Sequence, residues 1–284
     1  MERSWTEEIV HASTEDDLLL AGAAIRPVER LARTACVVLI HGNAAAFHDR
    51  PYILLGRALA ARGYPVIIGN TRGHDISATL WKASDSTPFA GGGGSGWERM
   101  EDAPRDLAAW IDVASAEQSA GIVLAGHSKG AQKVVLYGME RPDPRVIGIT
   151  LASPDLHGLR VPGEIEAARA LVAEGRGMEV LPAQPWAPWY RQSAGTVVSH
   201  AELVDRLFSA SERMPGIAAL KMPLLTFFGS REPHGPAELD AIRGMASASP
   251  RVETRLIDGA HHFYSGQEGD VARVIAEWIE GLMT

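Results

Sequence analysis

Short apolar runs alternate along most of the chain with longer segments whose apolar residues recur at helical spacing. Each run ends in small or turn-forming residues, which is typical of a buried strand, whereas spacing of i, i+3, i+4 and i+7 is typical of an amphipathic helix. The last helical segment is the clearest, because Val271, Val274, Ile275 and Trp278 fall on one face. The predicted buried strands cover residues 35–40, 66–69, 121–125, 146–151, 223–228 and 252–257.

This alternation predicts a parallel sheet covered by helices on both faces, because each parallel connection needs a crossover and the crossover helices pack on the sheet. Residues 5–11 and 18–25 differ, since they flank a short polar segment and predict a hairpin at the sheet edge. The predicted fold class is therefore α/β, with a doubly wound, mostly parallel eight-stranded sheet. A helical cap is also predicted, because a long segment interrupts the alternation.

The alternation breaks between the strand that ends near residue 153 and the strand that begins near residue 223. About 70 residues are too many for a plain crossover and too many for a structureless loop. We therefore predict a cap or lid insertion, residues 154–220, on an α/β core formed by residues 1–153 and 221–284. Within the insertion, Ser199 to Glu202 has the pattern of a capping box and predicts the start of a helix there.

Three aromatic residues in a proline-rich part of the insertion are candidate pocket residues. Proline prevents regular structure there, and large aromatic side chains still need to be covered. We predict that Trp186, Trp189 and Tyr190 cover a pocket and contact substrate. The alternative is that they pack only on the protein itself, as parts of a surface loop.

Composition and charge exclude several function classes. The 284 residues are 46% hydrophobic and 22% charged, which is ordinary for a globular protein with a large core. The formal net charge is −8, and no run of Lys or Arg forms a basic stripe. Nucleic acids and anionic membrane surfaces are therefore not expected as partners, and the predicted partner is a small-molecule substrate.

The single cysteine, Cys36, excludes an intrachain disulfide and a thiolate cluster for a metal. The N-terminal residues lack the basic and apolar regions of a signal peptide, and no stretch approaches the length of about 18 apolar residues that spans a bilayer. We therefore predict a cytoplasmic protein, a monomer or homodimer, with no membrane association.

A short motif at residues 126–130, Gly-His-Ser-Lys-Gly, is the strongest chemical signal. A five-residue motif alone is weak evidence of function, but this motif follows a predicted strand and precedes the apolar face of a predicted helix. A strand, a sharp turn and a helix hold a serine in strained backbone geometry with its hydroxyl exposed. Ser128 is therefore the candidate nucleophile, with an ordinary helix cap as the alternative.

A serine hydroxyl needs a base beside it and an acid that orients the base. Glu232 follows the strand at 223–228, and His261 and His262 follow the strand at 252–257, so both types lie at the carboxyl ends of predicted strands. An oxyanion also needs backbone amides as donors. The amide of Lys129, at the start of the helix, is one candidate, and the amide of Asn43, after the strand at 35–40, is the other, with Ala44 as second choice.

Together, these motifs resemble the α/β-hydrolase superfamily over nearly the whole chain. The family's order is seen in His41-Gly42, the turn at 70–74, the Ser128 motif, the acid and a Gly-Ala-x-His sequence. The resemblance implies that Ser128 is the nucleophile, Glu232 the acid and His262 the base, because His262 occupies the fourth place of that sequence. Glutamate stands where the family usually has aspartate, so Asp155 remains an alternative acid, as His261 remains an alternative base.

The predicted activity is hydrolysis, through an acyl-enzyme, of an ester or thioester of a small, largely apolar acyl or aryl substrate. No cofactor and no metal are expected in this chemistry. Two alternatives remain open at this point. The same serine site could cleave a C–C bond or transfer an acyl group, and the fold could instead serve a non-catalytic, ligand-binding protein.

Overall fold

A nine-stranded, mostly parallel sheet runs through the computed structural model, which describes residues 4–31, 34–89, 92–117, 119–158, 161, 163–183, 187–209 and 215–284. Along the sheet the order is β1-β2-β4-β3-β6-β7-β8-β9, and β5 pairs with β2. The pairs from β4 to β9 are parallel. The strands are β1 (Trp5–Ser13), β2 (Leu18–Pro27), β3 (Cys36–Ile40), β4 (Val66–Gly69), β5 (Trp81–Lys82), β6 (Ile122–His127), β7 (Val146–Ala152), β8 (Leu224–Gly229) and β9 (Val252–Ile257).

The edge hairpin and the parallel strands confirm the sequence prediction to within two residues at most strand ends. Strands β1 and β2 pair antiparallel, and β2 joins the sheet antiparallel to β4. The two-residue strand β5 was not predicted, because two residues carry no periodicity. The sheet therefore has the eight predicted strands and one short addition.

Helices cover both faces of the sheet. Buried side chains of α1 and α7 form one apolar cluster with one face, and buried side chains of α2, α3 and α6 form a larger cluster with the other. Trp278 on α7 and Trp110 on α2 are the largest members on their respective faces, and both are almost fully buried. The helices are α1 (Arg50–Ala60), α2 (Ala103–Ser115), α3 (Lys129–Glu140), α4 (Glu164–Ala173), α5 (Ala194–Phe208), α6 (Gly235–Met245) and α7 (Glu268–Met283).

Helices α4 and α5 belong to the predicted insertion, between β7 and β8. They share a small apolar cluster of their own, which includes Ala168, Leu181 and Val197. Helix α5 also contacts α3 and the short 3₁₀ turns at Met100–Asp102 and Gly216–Ala219. The division into a core and a cap stays a prediction, but these contacts attach the insertion to the carboxyl edge of the sheet, where β6 leads into α3.

The start of α5 corrects one sequence prediction. The helix begins at Ala194, where the Ser193 side chain caps it by accepting a hydrogen bond from the Thr196 amide. Ser199 lies inside the helix, and its hydroxyl accepts from the Met100 amide. The predicted capping box at Ser199 was therefore wrong, because the first turn is small and β-branched and shows no apolar periodicity of its own.

Candidate active site

Ser128 occupies a sharp turn between β6 and α3. Its backbone is strained, with φ 54° and ψ −121°, and its side chain makes no capping hydrogen bond to α3. A Cβ on Gly126 would lie 2.4 Å from the carbonyl oxygen of Gly130, and a Cβ on Gly130 would lie 2.4 Å from that of His41. The two glycines are therefore required by close backbone approach, and the serine hydroxyl is not used as a helix cap.

His262 and Glu232 meet beside this turn. The Nδ1 atom of His262 lies 2.8 Å from Oε2 of Glu232, in the loops that follow β9 and β8. An ionised carboxylate only accepts, so Nδ1 carries the proton and Nε2 is left as the basic nitrogen. Burial alone would raise the pKa of Glu232, but hydrogen bonds from His262, Ser153 and the Gly229 amide hold that pKa below its usual value. The carboxylate therefore stays charged.

The two sequence alternatives make other contacts. Oδ1 of Asp155 accepts hydrogen bonds from the amides of His157 and Gly158 at 3.1 and 2.8 Å. This oxygen therefore stabilises the loop that carries Asp155. The Nδ1 atom of His261 accepts from the Phe263 amide at 3.1 Å. The geometry therefore brings together His262 and Glu232 rather than these alternatives, although Asp155 does line the same cavity as Ser128.

The two candidate oxyanion donors line the same cavity as Ser128 and His262. Lys129 is the first residue of α3, where helix amides have no intrahelical partner and the helix dipole is positive. The side chain of Asn43 accepts a hydrogen bond from the hydroxyl of Tyr190 at 2.9 Å, and the Lys129 ammonium lies 3.5 Å from the same oxygen. The loop that carries Asn43 is therefore tied to the insertion and to α3.

Sequence reasoning missed a hydrogen-bonded chain that connects the walls of the site. The Gly42 amide donates to the hydroxyl of Tyr52, which lies 2.9 Å from Nδ1 of His127. Burial lowers the pKa of His127 to about 3, so the ring is neutral. Tyr52 then donates to Nδ1, and Nε2 donates to the backbone carbonyl of His262 at 2.8 Å. The sequence signal for this chain was the place of His127 directly before Ser128, since a side chain there must lie next to the site.

A second cluster that the sequence did not reveal lies under the start of α3. Lys129 and Lys133 both form ion pairs with Glu98, at 2.6 and 2.7 Å, and all three side chains are almost fully buried. Burial alone would raise the pKa of Glu98, but the two lysines hold it well below its ordinary value. Lys133 also donates to the hydroxyl of Thr71. The sequence signal was the presence of two lysines on a helix that is otherwise buried. Buried ammonium groups need partners, so these lysines indicate a buried carboxylate.

Two buried histidines predict acid destabilisation. Burial lowers the pKa of His41 and of His127 to about 3. Between pH 6.5 and 3 the unfolded chain binds two protons that the folded protein does not, so stability falls as pH falls. We expect the free energy of unfolding to decrease by about 2 kcal/mol for each histidine between pH 7 and pH 5. Urea unfolding at pH 7, 6 and 5 measures this decrease.

A matched variant isolates one of these histidines. His127→Gln keeps an acceptor and a donor in similar places and cannot be protonated, so it should remove about half of the decrease. His11→Gln, at an exposed position of β1, should leave the decrease unchanged. A stability that stays constant from pH 7 to pH 5 would contradict neutral, buried rings.

The cavity in front of Ser128 has a volume of about 370 Å³. Trp189, Tyr190 and Phe263 supply aromatic surface, and Trp189 and Phe263 are 66% and 54% exposed. Tyr190 is buried, and its hydroxyl is engaged by Asn43. Two of the three predicted aromatic pocket residues thus line this cavity, and Trp186 lies outside the described residues. Polar side chains on the remaining wall are Gln192, His200 and Asp155.

Metal clusters and membrane-spanning helices are both absent from the described residues. Within the described ranges, no group of three or more His, Cys, Asp or Glu side chains could hold a metal ion. In the same part of the chain, every helix is too short or too polar to cross a bilayer.

Comparison with known families identifies the protein's superfamily. Residues 32–175, just over half of the chain, match the family model described as serine aminopeptidase, S33. The chain belongs to this family of α/β hydrolases. The doubly wound fold class predicted from the sequence is thereby confirmed, and the chain has the α/β-hydrolase fold.

Individual relatives of this α/β hydrolase are distant. The phospholipase YtpA of Bacillus subtilis (strain 168) is 28% identical over 178 residues, which are 63% of this chain and 59% of the length of that relative. A thermostable carboxyl esterase from Bacillus coagulans superimposes with a TM-score of 0.73 at 15% identity, covering 98% of this chain and 99% of the esterase. A soluble variant of monoglyceride lipase from Saccharomyces cerevisiae gives 0.72 at 15% identity, covering 99% and 98%. At such identity these structures show the fold alone.

Proposed function

We propose that this α/β hydrolase cleaves an ester or thioester of a small, largely apolar acyl or aryl group through an acyl-enzyme. The observation that carries the proposal is the pair of His262 and Glu232, 2.8 Å apart, in which His262 lines the same cavity as a strained Ser128. A nucleophile, a base and an acid that orients the base are the components of serine hydrolysis. The relatives named as a phospholipase and a carboxyl esterase agree with ester hydrolysis.

In the proposed reaction, the hydroxyl oxygen of Ser128 attacks the substrate carbonyl while Nε2 of His262 takes its proton. The imidazolium that forms is stabilised by the charged Glu232 at Nδ1, and it then protonates the leaving alcohol or thiol. Water then attacks the acyl-enzyme while Nε2 of His262 takes its proton, and that proton returns to the Ser128 oxygen as the C–O bond breaks and the acid is released. The amides of Lys129 and Asn43 stabilise the oxyanion, because they are oriented before the charge develops.

The walls of the cavity support an apolar acyl or aryl group. Trp189 and Phe263 present large aromatic surfaces to it, and each methylene that leaves water gains about 0.8 kcal/mol. This gain acts in the transition state as well as in the ground state, so it raises kcat/KM. The insertion that carries Trp189 therefore contributes to substrate choice.

A series of p-nitrophenyl esters tests this function. We expect turnover of all chain lengths and a rise in kcat/KM from acetate to hexanoate of about fourfold for each added methylene. Trp189→Ala should flatten the rise while leaving the rate on acetate within about twofold, because acetate buries little surface there. Release of free carboxylic acid, measured by chromatography, separates hydrolysis from acyl transfer. Equal rates on acetate and hexanoate would contradict an apolar acyl site, and the absence of any turnover would contradict the function.

A further inference from the structure

The carboxylate of Glu232 is held at both of its oxygens. Oε2 faces His262, and Oε1 accepts hydrogen bonds from the hydroxyl of Ser153 at 2.6 Å and from the amide of Gly229 at 2.8 Å. Glutamate has one more rotatable bond than aspartate, so its carboxylate needs additional contacts to stay in one place. The second oxygen provides that attachment.

Ser153 is itself held by Tyr264. The two hydroxyl oxygens lie 2.5 Å apart. An ionised carboxylate can only accept, so Ser153 gives its single proton to Glu232 and accepts from Tyr264. The backbone carbonyl of Phe227 lies 3.2 Å from the Tyr264 hydroxyl and also accepts the amide of Ser153. Burial raises the pKa of Tyr264, so its hydroxyl remains a donor.

Both hydroxyl residues occupy costly backbone conformations. Ser153 has φ 43° and Tyr264 has φ 54°, a region that residues with a side chain seldom adopt. Ser153 is 1% exposed and Tyr264 is 6% exposed. Strain of this kind persists where surrounding contacts require it, and it is concentrated at functional sites. Here the strained turns direct the Ser153 hydroxyl toward the Glu232 carboxylate and the Tyr264 hydroxyl toward Ser153.

We propose that Ser153 and Tyr264 are positioning residues, which fix the Glu232 carboxylate against Nδ1 of His262 and so allow a glutamate to serve where its extra methylene would otherwise leave it mobile. The inference rests on the proposed function, since it concerns the acid of that reaction. Neither residue contacts the cavity in front of Ser128. The Ser153 hydroxyl therefore acts on the reaction through Glu232, and the Tyr264 hydroxyl acts through Ser153.

A double-mutant cycle tests this role. Ser153→Ala should lower kcat on p-nitrophenyl butyrate by about 10-fold or more, as expected for a lost hydrogen bond to a charged group, with KM within about twofold. In a Glu232→Gln background the same change should cost less than about twofold, because the carboxylate that it positions is gone. Fluorophosphonate labelling of Ser128 supplies the rate constant for variants too slow for turnover assays.

Two more variants separate the hydroxyl from the strain and from general packing. Ser153→Gly removes the same hydroxyl but relieves the positive φ, so it should match Ser153→Ala in kcat while melting at a higher temperature. Tyr264→Phe should lower kcat by about threefold through Ser153. Tyr137→Phe, a buried tyrosine whose hydroxyl contacts Asp143, is the matched control and should keep kcat within about twofold.

Two results would exclude a positioning role for Ser153. The same loss from Ser153→Ala in both backgrounds would indicate a merely structural residue, and an unchanged kcat in the otherwise unaltered protein would also overturn the proposal. If Ser153→Ala does not fold, Ser153→Gly carries the cycle. An active Ser128→Ala variant would instead refute the proposed function, so the two failures are distinguishable.

Discussion

Replacement of Ser128 by alanine should lower kcat on p-nitrophenyl butyrate by about 10⁴- to 10⁶-fold, because the covalent route is lost and only binding and oxyanion stabilisation remain. KM should change little. The hydroxyl makes no capping bond to α3, so its removal should leave the thermal midpoint close to that of the unaltered protein. Initial-rate kinetics with purified protein measure kcat, and calorimetry measures the thermal midpoint.

A fluorophosphonate probe gives the same experiment a covalent readout. The unaltered protein should gain one adduct, located at Ser128 by peptide mass spectrometry, and Ser128→Ala should gain none. Ser249→Ala is a suitable control, because its hydroxyl bonds the carbonyls of Met222 and Arg251 away from the cavity. Full esterase activity in Ser128→Ala, or an adduct on another residue, would refute the proposed nucleophile.

The second large effect is expected from Glu232→Gln, which should lower kcat by about 10⁴-fold. Ser153 and the Gly229 amide both donate to Oε1, so the carbonyl oxygen of the new amide will occupy that place. Its NH₂ group will then face Nδ1 of His262, which must accept a hydrogen bond. The imidazole proton moves to Nε2, and the ring can no longer act as a base toward Ser128.

Asp155→Asn is the matched comparison. Its amide oxygen can still accept the two loop amides that Oδ1 accepts, so kcat should stay within about 10-fold. Kinetics of both variants, with folding verified by circular dichroism, compare the two candidate acids directly. A loss of about 10⁴-fold in Asp155→Asn with an active Glu232→Gln would reverse the assignment.

Most of the fold could be predicted from the sequence because its central strands are continuous apolar runs with clear ends. The predicted strand at 252–257 coincides with β9, but β9 lies at the sheet edge and exposes Arg255 and Leu256, so its predicted burial was wrong. The predicted strand at 66–69 coincides with β4, which is buried along its whole length. Parallel strands buried on both faces read in this way. The start of α5 could not be predicted, because its first turn lacks apolar periodicity and two serines compete as its cap.

The candidate site was predictable only where residues follow a motif. Ser128 is marked by its glycines, and His262 by its place in the Gly-Ala-x-His sequence. The partners of Glu98 and of Glu232 lie on other elements, and their choice depends on side-chain orientation that spacing does not encode. Ser153 and Tyr264 are 111 positions apart, and ordinary hydroxyl residues give no signal of such a pairing.

The interlocked backbone around Ser128 limits which substitutions the candidate site can accept. A Cβ on Gly130 would collide with the carbonyl of His41, His127 bonds the loop of the proposed base, and Tyr52 bonds the loop of the proposed oxyanion donor. A substitution at any of these positions displaces several reacting groups at once. Trp189, on the rim and largely exposed, is free of that constraint. Directed evolution of the proposed esterase activity is therefore best aimed at the rim, where sequence libraries leave Ser128, His262 and Glu232 undisturbed.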